Sequence, residues 1–418
     1  MGPFVLAAAI PLLFLHRNYQ PGLDVGSLHV DLSDFAVLAV VVAAIVERPR
    51  IRFRDWLAWL AFAALVLVGV AWGAHFSGYP VGTHLTTAAK WIEYMLLAPA
   101  VVAIAKRERD LVPAAVALVA WDVVAGVVAL LQFVGALGDL DHTPAGRRKP
   151  SFVGVHDYAA LSGAALVIAL VVLVRGARSD REREVALAAG LAGVVGMVIG
   201  GALDSLVGLV LASIGLVLVA SVRAARRLGA LVAVRTVTVV GIVAIRSSAL
   251  ANGLEFLGVK QGSGSASTQI QSYRQRALLA YIGGREFIGH PVLGVGWQGS
   301  ADPYAFEPYL ADARAKFVQP PEAFPSRRNR WGVQNAYVQS LADLGVLGLP
   351  AFLASLLVPV ARAWRRAGDA TLAGVALVLL VVGAWNGYGL VAGIPLAALT
   401  WLAVGVCIAG TSFPREAA

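Results

Sequence analysis

Almost all of this sequence consists of apolar runs separated by a few polar residues, and a chain patterned that way has few folds open to it. About 20 helical residues are needed to cross the ~30 Å hydrocarbon core of a bilayer. Runs approaching that length stand near 3–16, 31–46, 55–73, 84–105, 110–136, 153–175, 184–201, 204–222, 229–246, 335–360, 369–385 and 389–410. In lipid, every backbone N–H and C=O must be satisfied within the chain, so these runs are expected to be helices. The expected fold is an all-α, polytopic transmembrane helical bundle of about twelve spans. A hydrophobic fraction of 58%, a charged fraction of 14% and a mean hydropathy of +0.74 agree with that class.

Composition also narrows function. The formal net charge of +9 is explained first by basic cytoplasmic loops, not by nucleic acid. One cysteine, Cys407, permits no disulfide framework. The sequence has no GxxxxGK[ST] phosphate loop and no Cys or His metal cluster, so neither a metal nor another cofactor is expected. The run Pro3–Leu15 has no basic leader and no small-residue cleavage site, and reads as a retained first helix.

Basic residues alternate along the chain. Arg48, Arg50, Arg52 and Arg54 follow the second run, and Lys106, Arg107 and Arg109 the fourth. Arg175, Arg178, Arg181 and Arg183 follow the sixth, Arg223, Arg226 and Arg227 the eighth, and Arg362, Arg365 and Arg366 the tenth. The loops 74–83 and 386–388 have neither Lys nor Arg. The positive-inside rule then puts both termini in the cytoplasm.

This divides the chain into helices one to nine over 1–245, a large extracytoplasmic loop over 246–333, and helices ten to twelve over 334–418. The loop is the one long polar segment and is expected to contain short amphipathic helices. It carries Arg274, Arg276, Arg285, Arg314, Lys316, Arg327, Arg328 and Arg330. A solvated surface explains some of that charge; a site for an anionic, membrane-bound substrate explains the rest.

Four constellations are candidates for chemistry. Arg274 and Arg276 open SYRQRALLAYIGG, which reads as a helix on the membrane surface, broken at Gly283-Gly284. A guanidinium there suits a phosphate or diphosphate. Arg147, Arg148 and Lys149 occupy an outward loop where the inside rule does not call for cations, and His156 and Asp157 stand at the mouth of the next helix. Gln334 and Asn335 begin the tenth run; amides orient hydroxyls or cap helices but do not act as bases. Lys90 and Glu93 lie three apart in the fourth run and can pair on one helix face, and Asp122 lies in the fifth.

Two motifs, GHPVLGVG (289–296) and QNAYVQSLADLGVLGLPAF (334–352), together resemble the signature of the O-antigen ligase and polymerase superfamily. RKPSFVGVHDYAALSGAALVIAL (148–170) is similar to that family's entry to a middle helix. The resemblance implies a membrane glycosyltransferase of the GT-C type in the bacterial cytoplasmic (inner) membrane. It implies an undecaprenyl-diphosphate-linked glycan donor on the outer face and a glycan or lipid acceptor, without nucleotide sugar or an obligatory metal. Arg276, fifteen residues before Pro291, matches the family's diphosphate-binding loop arginine, with Arg274 the near alternative. Asn335 matches the Asn of the family's His-Asn pair.

The chain departs from the pattern twice. Gln334 stands where the family often has the His that activates the acceptor, and ALDSLVGL (202–209) lacks the family's second arginine. Another base is then expected, with His156, His290, Asp204 and Glu322 as candidates, or base catalysis matters little. The alternative function is a twelve-helix transporter or lipid-linked-glycan flippase. A long loop after helix nine and the lack of a visible internal repeat argue against it.

Overall fold

The structure, a computed structural model, describes residues 1–25, 28–47, 53–139, 142–219, 228–245, 272–364 and 368–413. Arg48, Arg50, Arg52, Arg223, Arg226, Arg227, Arg365, Arg366 and the first part of the polar loop, 246–271, lie outside them.

The described residues are mostly helical. In order come α1 (Gly2–Leu13), α2 (Leu32–Val46), α3 (Leu57–Gly73), α4 (Val81–Met95), α5 (Leu97–Ile104) and α6 (Val112–Phe133). Then follow α7 (Val155–Arg175), α8 (Asp180–Gly200), α9 (Leu203–Val219) and α10 (Leu228–Ile245). The polar loop contributes α11 (Ser272–Gly289) and two short helices, α12 (Pro303–Phe306) and α13 (Leu310–Lys316). The chain closes with α14 (Ala336–Leu344), α15 (Gly348–Ala363), α16 (Asp369–Ala384) and α17 (Pro395–Ser412). Among the described residues, one antiparallel hairpin, Gly22–Val25 with Leu28–Asp31, departs from the expected all-α pattern.

Seven helical segments among the described residues are long and apolar enough to cross a membrane: Val81–Ile104, Glu108–Phe133, α7, α8, Ala336–Ala363, Asp369–Gly387 and α17. α1, α2, α3 and α9 are apolar but shorter, at 12, 15, 17 and 17 residues. Each predicted apolar run thus corresponds to a helix or a consecutive pair of helices.

Burial separates centre from rim. The spanning windows of α7, α17 and α16 are 83%, 78% and 72% buried, those of α6 and α8 only 33%. α7 packs on α8, α16 on both α9 and α17, and α1 on α6. α9 and α16 meet where a Cβ on Gly383 would lie 2.2 Å from Gly208 Cα, an approach that only glycine permits. Asp122 is buried and accepts a 2.7 Å hydrogen bond from Ser162 Oγ, tying α6 to α7.

Within the polar loop, α11 runs unbroken through Gly283-Gly284, contrary to the sequence expectation. Gly283 is a contact point: a Cβ there would meet Val333 Cγ2 at 2.6 Å. The apolar residues Leu278, Leu279 and Ile282 pack with Phe306, Ala313 and Phe324 in a core of the loop's own. Much of the loop's positive charge is matched locally as well: Arg285 with Asp312, Arg327 with Glu307 and Arg330 with Asp302. Arg314 and Lys316 lie over the rings of Phe324 and Tyr281.

Candidate functional site

The two motifs form one structural joint. Val295 and Gly296 donate backbone hydrogen bonds to Ala342 O and Asp343 O at 2.8 and 3.0 Å, and Val346 N donates to Pro291 O at 2.8 Å. The Asp343 carboxylate accepts from Gln298 N at 3.1 Å, Ser300 N at 3.0 Å and Gln339 Nε2 at 2.9 Å. Gly294 has φ +65° and a Cβ there would lie 2.4 Å from Ala342 O; Gly345 has φ +69° and a Cβ would lie 2.2 Å from Val292 O. These glycines are required by backbone-to-backbone contact. His290 belongs to the joint: its ring packs edge-on to Phe76, with centroids 5.3 Å apart. It stands fourteen residues, roughly 20 Å of helix, from Arg276, so this candidate base is not among the residues gathered around that side chain.

The joint fixes the far ends of α11 and α14, and chemistry-bearing residues gather at their near ends. Arg276, in the first turns of α11, donates from Nε to Gln334 Oε1 at 3.3 Å, while its Nη2 lies 3.0 Å from His156 Nε2. His156 Nδ1 lies 3.0 and 3.2 Å from the two carboxylate oxygens of Asp204. Arginine only donates, so Nε2 accepts from Arg276 and Nδ1 carries the proton that binds Asp204. His156 and Asp204 stand in the first turns of α7 and α9. The turn at Gly201, with φ +57°, ends α8 and returns the chain so that the two meet. The His156 side chain is 16% exposed and Asp204 4%, so the imidazole is reachable and the carboxylate is shielded.

Asn335 caps α14, accepting from Tyr337 N and Val338 N at 3.1 and 3.0 Å. Its Nδ2 also donates to Asn386 Oδ1 at 2.8 Å. Tyr388 meets His156 edge-on at 5.3 Å and donates to Asp157 at 3.4 Å. The neighbouring Asp157 charge, together with burial, raises the Tyr388 phenol well above its ordinary pKa, so it remains a donor. Asp157 accepts from Leu396 N at 2.8 Å, anchoring the start of α17.

Arg276, His156, Gln334 and Asn335 are therefore brought to one end of the bundle from widely separated positions. Other expected residues lie elsewhere. Lys149 is buried, 2.6 Å from Asp139 and bonded to Thr143 O and Oγ1, and so is a loop staple, not a substrate cation. Lys90 pairs with Asp31 at 2.8 Å and Asp34 at 3.2 Å, not with Glu93, and ties α4 to the start of α2. Arg147 is exposed and Arg148 half-buried in the same loop as Lys149. Arg274 is half-buried; two residues before Arg276, it projects about 200° around the helix from it. Glu322 is exposed on the loop surface. Asn386 and Tyr388 also stand here; their signal in the sequence is that the short loop 386–388, which has no Lys or Arg, still places an Asn and a Tyr at a helix mouth.

No protein-family model matches the chain, and no curated protein matches it.

Proposed function

We propose that this protein is a glycosyltransferase of the cytoplasmic membrane, with twelve spans, both termini inside and the Arg276 cluster on the outer face. Its donor is a lipid-diphosphate-linked glycan and its acceptor a hydroxyl of a second glycan or lipid. The observation that carries this reading is the chain of contacts from Asp204 through His156 to Arg276, beside the amides of Gln334 and Asn335. The resemblance of the two motifs to the O-antigen ligase and polymerase superfamily supports it.

In this reading the base has moved. Gln334 cannot accept a proton near neutral pH, but neutral His156, held in one tautomer by Asp204, can. Arg276 Nη2 occupies the lone pair of His156 Nε2. A diphosphate draws the guanidinium to itself, because a bidentate charge-assisted contact is stronger than one to a neutral imidazole. Donor binding thereby uncovers the base. The acceptor hydroxyl then gives its proton to His156 Nε2, its oxygen bonds to the anomeric carbon, and the glycosidic C–O bond breaks with its electron pair on the diphosphate. Arg276 stabilises that developing charge, and Gln334 and Asn335 orient the sugar.

The test is transfer by purified protein in proteoliposomes, with labelled lipid-diphosphate glycan. Arg276→Ala is expected to raise the donor KM and lower kcat, and His156→Gln and Asp204→Asn to lower kcat on the order of 10²–10⁴-fold. Wild-type rates from Arg276→Ala would sink the diphosphate assignment; wild-type rates from His156→Gln would sink the base.

A further inference from the structure

The bundle has a second charged concavity, at the other end of α7. A cleft of about 720 Å³ opens among α1, α6, α7, α8, α16 and α17. Its walls are aliphatic, including Leu6, Ile10, Ile168 and Leu399, and its lip includes Val112 and Val116, which are 55% and 44% exposed on the outer side of α6. The cleft is therefore open sideways, toward the surface that lipid chains would cover. His156 and Arg175 stand nineteen residues apart on α7, so this mouth is roughly 28 Å from the Arg276 cluster.

Charge is confined to one edge of the cleft. Its carboxylates are already engaged by the protein: Glu108 accepts from Ala370 N, and Glu182 pairs with Arg175 and accepts from Arg178 N. Asp369 is held by Arg175 at 3.1 Å and Arg178 at 2.8 Å. Arg109 and Arg181 line the same edge, are exposed, and make no ion pair among the described residues. The edge thus carries four arginines against three carboxylates, and an apolar slot open to lipid, with Arg109 and Arg181 outside its ion pairs, suits an anionic headgroup above acyl chains.

We propose that this cleft binds an anionic glycerophospholipid of the surrounding bilayer, its phosphate at Arg109 and Arg181 and an acyl chain between α6 and α8. The inference rests on reading the chain as a membrane protein with this end at the cytoplasmic surface. It does not rest on glycosyl transfer.

The experiment uses the purified full-length protein in detergent. Dioleoyl phosphatidylglycerol, dioleoyl phosphatidylcholine and inorganic phosphate are each titrated, and bound lipid is read by native mass spectrometry and the thermal midpoint. Phosphatidylglycerol is expected to bind saturably and raise the midpoint, and the other two to do neither. Each arginine contributes on the order of fivefold in affinity, so Arg109→Ala with Arg181→Ala loses roughly 25-fold. Val116→Trp, at the exposed lip, is expected to block the acyl chain and lose the effect without disturbing the fold. Equal binding of phosphatidylcholine, an undiminished effect in the double variant, or competition by inorganic phosphate alone would each overturn the proposal. Loss of transfer in Arg276→Ala with lipid binding intact keeps this test separate from that of the enzyme reading.

Discussion

Glu286 on α11 is fully buried, and neither of its carboxylate oxygens has a partner among the described residues. Burial, then the Asp343 charge, raises its pKa well above the ordinary 4.5, so it folds protonated. The unfolded chain releases that proton above about pH 4.5 while the native protein retains it, so this residue lowers stability as pH rises through neutral. Glu286→Gln is expected to stabilise by ~1–2 kcal/mol at pH 7.5 and by less at pH 5, measured as thermal midpoints in detergent. An equal gain at both values would show that proton uptake is not the cause. Asp139 behaves oppositely. Burial raises its pKa, but the Lys149 and Thr143 hydrogen bonds outweigh it and bring it to about 2. Its contribution is present above the unfolded value of 3.8 and is lost as pH falls through about 2. Asp139→Asn strands the Lys149 charge and should cost about 3 kcal/mol by denaturant titration. Lys149 was misread from the sequence for a reason visible here: a sequence displays a cation but not the carboxylate ten residues earlier that folds onto it. The place of Arg276 relative to the 289–296 motif was legible because it is set along one helix. The His156–Asp204 contact was not, because it depends on how α7, α8 and α9 close.

At the scale of elements, the helices were readable from run length, but the breaks within them were not. Gly283-Gly284 looked like a break and is a packing surface, while the break falls at Gly345, between α14 and α15. Local sequence gives both glycine sites the same signal; only the neighbour across the gap, Val333 in one case and Val292 in the other, tells them apart. Gly345→Ala forces a Cβ into Val292 O at a left-handed φ and should destabilise by ~2 kcal/mol or more. Because the joint sets how α11 and α14 lie together, the same substitution is expected to lower glycan transfer although it touches neither Arg276 nor His156. Transfer at the wild-type rate in a folded Gly345→Ala protein would show that the joint does not position the site.

At the scale of the whole molecule, seven helical segments among the described residues are long and apolar enough to cross a bilayer, and four other apolar helices are shorter, at 12 to 17 residues. Composition makes all of them apolar alike, so the sequence did not distinguish them. Short apolar helices are accommodated by local thinning of the bilayer at modest cost. The sidedness rests on the alternation of basic loops and is directly measurable, because the sole cysteine, Cys407, is buried and gives little background labelling. Arg327→Cys is expected to react with a membrane-impermeant maleimide in intact cells, and Arg181→Cys only after the membrane is opened. Reaction of both from outside would reverse or abolish the proposed orientation.

α11 and α14 lie side by side, pinned together at the glycine joint and carrying Arg276 and Gln334 at their other ends. They are a pair of tongs set at the pivot, and the chain between 299 and 333 folds back as a brace on one arm, where Phe306, Ala313 and Phe324 pack on α11. Arg327, Arg328 and Asn329 are exposed at the tip of that brace, so a one-residue insertion there should leave the pivot's hydrogen bonds in place.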